Sequence, residues 1–180
     1  MMSAATEDFW IFAYGSLMWD PGFAYEEAIA GNINGYQRSL SVLSTIYRGT
    51  PEHPGLVLGL DKGDSCCGRV FRIAPENVND IVAYLDEREQ VTKVYCPHFF
   101  ETRLIDGRWV KAYTFVVRRE HEQYAGYLSL EEQAELVAQG VGEKGTALAY
   151  LENTVRHIDD LGIEDTDLHK VLDMAQKLAT

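Results

Sequence analysis

A short segment near the start of the chain combines residue types that can hold an anionic oxygen. Aromatic and apolar residues over 9–14 are typical of a buried strand, and Gly15-Ser16 stops that strand abruptly. Glycine lets a ligand approach the backbone closely, and a turn at this point keeps backbone N–H groups out of strand pairing. The segment is either an anion-binding turn or an ordinary strand-to-loop corner, and its residues alone favour the corner.

A carboxylate continues the apolar stripe of a predicted helix. Pro75 suits the first helical position, and apolar residues recur with helical spacing at Val78, Ile81, Val82 and Leu85. This pattern predicts a helix over 74–89 with one buried face. Glu89 falls on that face, four residues after Leu85, whereas Asp86 and Glu87 are predicted to point away from it.

The position of Glu89 favours a role as a general base. Partial burial and the negative end of the helix both disfavour the charged carboxylate, so we expect its pKa to be raised. A carboxylate with a raised pKa is suited to taking a proton near neutral pH. The alternative is a frayed last turn, in which Glu89 is solvated or pairs with a nearby arginine.

Several segments, in order along the chain, resemble the ChaC family of γ-glutamylcyclotransferases. The main ones are residues 14–17 (Tyr-Gly-Ser-Leu), 44–51 (Ser-Thr-Ile-Tyr-Arg-Gly-Thr-Pro) and 84–89 (Tyr-Leu-Asp-Glu-Arg-Glu). The resemblance extends over nearly everything after residue 8, since it also takes in residues 19–23, 53–55, 123–128 and 161–165.

The resemblance implies a fold and a reaction. The fold is a single α+β domain with a small barrel-like mixed sheet and C-terminal helices. The reaction is an internal cyclisation of γ-glutamyl compounds, glutathione above all: the α-amine attacks its own γ-carbonyl, which gives 5-oxoproline and releases cysteinylglycine. It needs neither a metal nor a protein nucleophile. The enzyme must bend the substrate, take a proton from the ammonium and stabilise an oxyanion.

The same resemblance assigns roles to residues of this chain. The family's catalytic glutamate corresponds to Glu89. Substrate binding is expected at residues of the first strand, of the turn that follows it and of two later loops, namely Ile11, Phe12, Ala13, Tyr14, Gly15, Ser16, Leu17, Arg48 and Tyr124. Arg48 either clamps a carboxylate with its two-pronged guanidinium or faces solvent. Tyr124 either offers a hydroxyl to the substrate or packs on the sheet as an aromatic plug.

The chain also departs from the family pattern close to the expected pocket. Ala13 stands where the family commonly has Gly, Ile46-Tyr47 replace a more polar pair, and Gln90 opens a stretch unlike the family's Lys-Gly-Gly-like turn. Changes of this size can alter substrate selectivity without altering the reaction. Two alternatives therefore remain: a cyclotransferase for other γ-glutamyl peptides or amines, and a non-catalytic regulatory binding protein on the same fold.

Composition limits the class of protein and its partners. The chain has 180 residues, of which 46% are hydrophobic, and this predicts one domain over 1–180 with a flexible segment at 1–8. A formal net charge of -12 argues against nucleic acid and anionic membranes as partners. The 3 cysteines fit neither a disulfide framework nor a zinc site, and no targeting segment or long apolar run is recognised. We therefore expect a cytoplasmic protein.

The order of predicted elements gives the fold class. Strands are expected at 9–14, 33–43, 56–60, 67–73, 94–105 and 109–117, with hairpin turns at 61–64 and at Asp106-Gly107. Helices follow from a capping box at Ser129 and Glu132, then over 148–158 and 168–175. Strands first and helices last indicate an α+β fold.

Two motifs that suggest cofactors are in the wrong context. Residues 140–145 spell G-x-G-x-x-G, but they lie between two predicted helices rather than after a strand, which favours a plain loop over a dinucleotide site. The 5 histidines are scattered without metal-ligand spacing. Ser16 lacks the surroundings of a nucleophile. No cofactor and no metal are expected.

Overall fold

The computed structural model describes residues 8–89 and 93–180. The segment expected to be flexible, apart from Asp8, and Gln90 lie outside these residues. The described elements are β1 (Phe9–Ala13), a 3-10 turn (Ser16–Met18), β2 (Glu27–Ser44), β3 (Gly55–Ile73), a 3-10 turn (Pro75–Asn77), α1 (Val78–Glu89), β4 (Tyr95–Leu104), β5 (Trp109–Val117), α2 (Leu130–Gln139), β6 (Val141–Gly142), β7 (Gly145–Thr146), α3 (Ala147–Asp160) and α4 (Thr166–Leu178).

The first five strands close into a barrel in the order β1-β3-β2-β4-β5. β1 pairs antiparallel with β3 on one edge and parallel with β5 on the other, so the sheet is mixed. The helices α2, α3 and α4 follow the strands in sequence and pack on one another. The α+β class with a barrel-like mixed sheet and C-terminal helices is confirmed.

The predicted hairpin at 61–64 is wrong, because β3 runs through these residues as one strand. A positive φ, which a tight turn would need at glycine, occurs at Gly107 (95°) but not at Gly63. Glycine inside a strand can instead mark a close approach. A Cβ at Gly63 would overlap the side chain of Gln37. The hairpin turn at Asp106-Gly107 is confirmed.

Two compact units divide the chain. The first contains the described residues up to Gln37 together with those of Lys62–Val116, and the second contains Arg38–Asp61 and Val117–Thr180. The core of the first unit includes Ile11, Phe12, Phe71 and Leu85, and that of the second includes Leu56, Val137, Leu151, Ile158 and Val171. The single domain over 1–180 remains a prediction.

The G-x-G-x-x-G stretch has a structural explanation in the second unit. It lies between α2 and α3, as predicted, and its β6 and β7 form a two-residue ladder. The N–H groups of Glu143 and Lys144 donate to the carbonyls of Ile46 and Tyr47, at 2.9 Å each. A Cβ at Gly142 would overlap the backbone of Tyr47 and Arg48. The glycine spacing therefore lets one loop pack directly on another backbone.

α1 buries the face that its apolar spacing predicted, with one exception. Ile81 and Leu85 are buried, as expected. Asp86 does not point away from the protein, since it is half-buried and accepts a 3.0 Å hydrogen bond from the Tyr113 hydroxyl of β5. Burial and this bond to Asp86 raise the pKa of Tyr113. Glu87 is exposed, as predicted, whereas the same prediction for Asp86 is wrong.

The bond from Tyr113 to Asp86 should contribute measurably to the stability of α1 on the sheet. We expect Tyr113→Phe to lower the free energy of unfolding by about 1–2 kcal/mol, because the half-buried carboxylate loses its hydroxyl donor. Denaturant unfolding measures this change. Tyr127→Phe is the matched control, because Tyr127 is 77% exposed. Equal free energies for the two variants would show that the bond is dispensable.

Candidate functional site

β1 presents a turn at its C-terminal end. Ile11, Phe12 and Ala13 are each 1% exposed, and β1 pairs on both of its edges, so this strand is held rigidly in the barrel. Gly15 follows as the residue before the 3-10 turn. Its φ of -132° lies outside the left-handed region.

The turn after β1 leaves two adjacent N–H groups for a ligand. Met18 N–H donates to the carbonyl of Gly15 at 2.9 Å, and Asp20 N–H donates to that of Ser16 at 2.8 Å. Within residues 8–89 and 93–180, the N–H groups of Ser16 and Leu17 have no acceptor. Successive N–H groups of this kind form an anion-binding concavity. The sequence predicted that this turn leaves backbone N–H groups out of strand pairing, and anion binding there stays a prediction.

Arg88, in the last turn of α1, contacts that turn directly. Its Nη2 donates to Ser16 Oγ at 3.0 Å. Its Nη1 donates to the carbonyl of Asp20 at 3.0 Å and to the hydroxyl of Tyr84 at 2.9 Å. One guanidinium therefore connects the end of the helix to both the beginning and the end of the 16–20 segment.

Glu89 is the residue next to this connection. Its side chain is 20% exposed, in keeping with the predicted continuation of the apolar stripe, and its Oε1 lies 3.8 Å from Nε of Arg88. Pairing with a nearby arginine, the alternative raised from sequence, is thus also present. Partial burial and the ion pair coexist, because the guanidinium uses its outer nitrogens on the turn.

Arg48 is partly committed to structure within the second unit. Its Nη1 donates to the carbonyl of Thr146 at 3.2 Å, and its guanidinium lies 5.5 Å from the centre of the Tyr150 ring. Burial lowers its pKa. Its backbone N–H donates to Ser44 Oγ at 3.0 Å. A carboxylate clamp at Arg48 would have to use guanidinium hydrogens other than the one donated to Thr146.

Tyr124 belongs to a polar cluster within the second unit. Its hydroxyl donates to Oδ2 of Asp61 at 2.7 Å, and Nε of Arg119 donates to Oδ1 of the same carboxylate at 2.8 Å. Burial and the bond to Asp61 raise the pKa of Tyr124. Because the only hydroxyl hydrogen points at Asp61, Tyr124 offers a ligand an acceptor oxygen rather than a donor.

The sequence did not predict the roles of Asp61 and Arg69 or the contact between Tyr84 and Arg88. Asp61 was assigned to a turn, so nothing marked it as the buried partner of Tyr124. Arg69, whose Nη1 donates to the Met18 carbonyl at 3.0 Å, gave no sequence signal. The contact between Tyr84 and Arg88 could have been inferred, because residues four apart share one helix face.

The described part of the chain contains no cluster of three or more His, Cys, Asp or Glu side chains suited to a metal ion. Among these same residues no helix is long and apolar enough to cross a membrane.

The model of one protein family, described as ChaC-like protein, matches residues 9–178. The chain belongs to this family. This membership was the expectation drawn from the sequence, and it is confirmed.

Named relatives of this ChaC-like chain cover most of its length. An Escherichia coli (strain K12) protein named glutathione-specific gamma-glutamylcyclotransferase is 33% identical over 94% of this chain and 73% of its own. Gamma-glutamylcyclotransferase 2-3 of Arabidopsis thaliana is 31% identical over 88% of this chain and 85% of its own. A solved yeast γ-glutamyl cyclotransferase specific to glutathione has the same fold, with a TM-score of 0.85, 22% identity and coverage of 96% and 97%.

Gly22 supports the segment that Arg88 holds. Its φ is 73°, and a Cβ at this position would overlap the hydroxyl of Tyr84, which bonds to Arg88. Gly35 has a similar φ of 86° but open space around it.

We expect Gly22→Ala to destabilise the ChaC-like protein more than Gly35→Ala does. Both variants should lose about 1 kcal/mol from the left-handed backbone, and only Gly22→Ala must also displace Tyr84. Thermal unfolding measures the difference in stability, and kcat/KM should fall in Gly22→Ala alone. Equal losses in the two variants would mean that the Tyr84 contact has no role.

Proposed function

We propose that the chain is a glutathione-degrading γ-glutamylcyclotransferase, with 5-oxoproline and cysteinylglycine as its products. Family membership and the names of relatives that match nearly the whole chain support this function. The observation in the structure that carries it is the Arg88 contact, because it places the turn with two unpaired N–H groups beside the last turn of α1, where Glu89 lies.

The proposed reaction uses the substrate's own nucleophile. Glu89 takes a proton from the α-ammonium of the γ-glutamyl group, and the resulting amine attacks the γ-carbonyl. A new C–N bond closes the five-membered ring, and the oxyanion that forms is stabilised by hydrogen-bond donors. The amide C–N bond then breaks, and the leaving nitrogen takes the proton that Glu89 holds. The ring nitrogen loses its second hydrogen to Glu89, which passes it to the released amine, so that cysteinylglycine leaves as an ammonium and Glu89 is again a carboxylate. Atoms and charge balance without any further reactant.

Substrate recognition must rest on local groups. Glutathione is anionic and the chain carries a net charge of -12, so the overall field does not attract it. The N–H groups of Ser16 and Leu17 suit an anionic oxygen of the γ-glutamyl group. In the second unit, Arg48 has remaining guanidinium donors and Tyr124 an acceptor oxygen. Ile11, Phe12 and Ala13 would contribute through the shape that β1 gives the turn.

The proposed setting follows from charge and cysteine content. The acidic chain is proposed to act in the cytoplasm on a small molecule, without nucleic acid or membrane partners and without a cofactor. None of the 3 cysteines forms a disulfide within the described structure, and Cys67 is exposed, in keeping with a reducing compartment.

Glu89→Gln should separate catalysis from binding. The amide keeps the shape of the side chain but cannot accept the ammonium proton, so kcat should fall roughly 10²-fold or more while glutathione still binds. The measurement is steady-state release of 5-oxoproline, with isothermal calorimetry for binding.

Glu87→Gln is the matched control for this variant, because Glu87 is two residues away and exposed. Asp86→Asn is not a suitable control, since Asp86 holds Tyr113. A parent kcat in Glu89→Gln would contradict the assigned base.

A substrate panel should separate glutathione from other γ-glutamyl compounds. We expect kcat/KM for glutathione to exceed that for γ-glutamyl dipeptides and amines by roughly tenfold or more, since a missing polar contact typically costs this much. Quantifying 5-oxoproline and the released co-product for each compound gives the ranking. A higher kcat/KM for another compound would favour the alternative substrates, and tight binding without any 5-oxoproline would favour a regulatory binding protein.

A further inference from the structure

Arg88 makes more contacts with the turn than ion pairing with Glu89 requires. Its Nη1 and Nη2 reach three oxygens of two kinds: the Ser16 hydroxyl, the Asp20 carbonyl and the Tyr84 hydroxyl, all within 3.0 Å. The Pro21 carbonyl lies at a longer 3.5 Å from Nη1. A planar guanidinium can satisfy acceptors in different directions at once, which a lysine ammonium on a flexible stem does not reproduce.

The bond to Ser16 fixes the polarity of its hydroxyl. A guanidinium only donates, so Ser16 Oγ is the acceptor in this bond, and its single hydrogen must be given to another group. Within the described residues Ser16 is half-buried, and its hydroxyl has no hydrogen-bond acceptor. A ligand at the turn would therefore meet a third donor beside the N–H groups of Ser16 and Leu17.

We propose that Arg88 is a positioning residue that locks the 16–20 segment onto the end of α1 and makes the Ser16 hydroxyl a hydrogen-bond donor to an anionic oxygen of the substrate. Arg88 itself need not touch the substrate. The inference rests on the proposed function for the identity of the ligand, but the positioning of the turn by Arg88 does not depend on it.

A double-mutant cycle tests the action of Arg88 through Ser16. Arg88→Met and Ser16→Ala should each lower kcat/KM for glutathione by about tenfold or more, since each removes a charge-assisted or ligand hydrogen bond. The kcat/KM of the double variant should be no lower than that of the less active single variant, because without Arg88 the hydroxyl is no longer oriented. Arg88→Lys, which keeps the charge near Glu89 but not the fork, should recover only part of the loss.

Arg72→Met is the matched control. Arg72 is an arginine of the same unit with similar side-chain exposure, 31% against 23%, and it pairs with Glu27 rather than with the turn. Its kcat/KM should stay within about twofold of the parent value, because it lies outside the proposed site. Multiplicative losses in the cycle, or an equal loss in Arg72→Met, would overturn the proposal.

Hydrogen exchange provides a readout that does not need activity. Within 16–20, the hydrogen-bonded backbone amides of Met18, Trp19 and Asp20 should exchange faster in Arg88→Met than in the parent, with no such change in Arg72→Met. If the parent protein releases no 5-oxoproline from any γ-glutamyl compound, the proposed function fails while faster exchange still supports the positioning role. Unchanged exchange at 16–20 would overturn that role whether or not the parent is active.

Discussion

The guanidinium of Arg88 is the contact on which the candidate site depends. It is the point at which two local structures with different causes meet: a turn produced by the abrupt end of β1 and a helix end produced by the apolar stripe of α1. The turn alone is a strand corner with two unpaired N–H groups, and the helix end alone is a half-buried carboxylate. Joined through Arg88, they place hydrogen-bond donors and the Glu89 carboxylate in the same part of the first unit.

The rigidity of β1 explains how the turn can hold its shape. A strand paired on both edges and almost fully buried cannot shift without breaking the barrel, so the residues that follow it begin from a fixed position. The turn adds bonds of its own from Met18 and Asp20, and Arg69 holds the Met18 carbonyl. Preorganised donors of this kind do not have to reorient when charge develops on a substrate oxygen, which is the condition for efficient electrostatic stabilisation.

The sequence predicted those features that depend on local pattern. The stripe through Ile81 and Leu85 located Glu89 on the half-buried side of α1, and the capping box at Ser129 marked the start of α2. The sequence-based predictions were wrong where a residue's contact partner is distant along the chain. Residues 61–64 have turn composition, yet the buried Asp61 pairs with Arg119 and Tyr124, and Gly63 makes room for Gln37. Asp86 was misplaced for the same reason, since its partner Tyr113 belongs to a strand beyond α1.

The central claim is that the substrate's own amine, and not water, attacks the γ-carbonyl. The most direct measurement is turnover of glutathione in heavy-oxygen water, followed by mass spectrometry of the product that contains the glutamyl group. Internal cyclisation predicts 5-oxoproline without heavy oxygen, together with an equal amount of cysteinylglycine. Glutamate carrying one heavy oxygen in its γ-carboxylate would show that water is the nucleophile and would contradict this account.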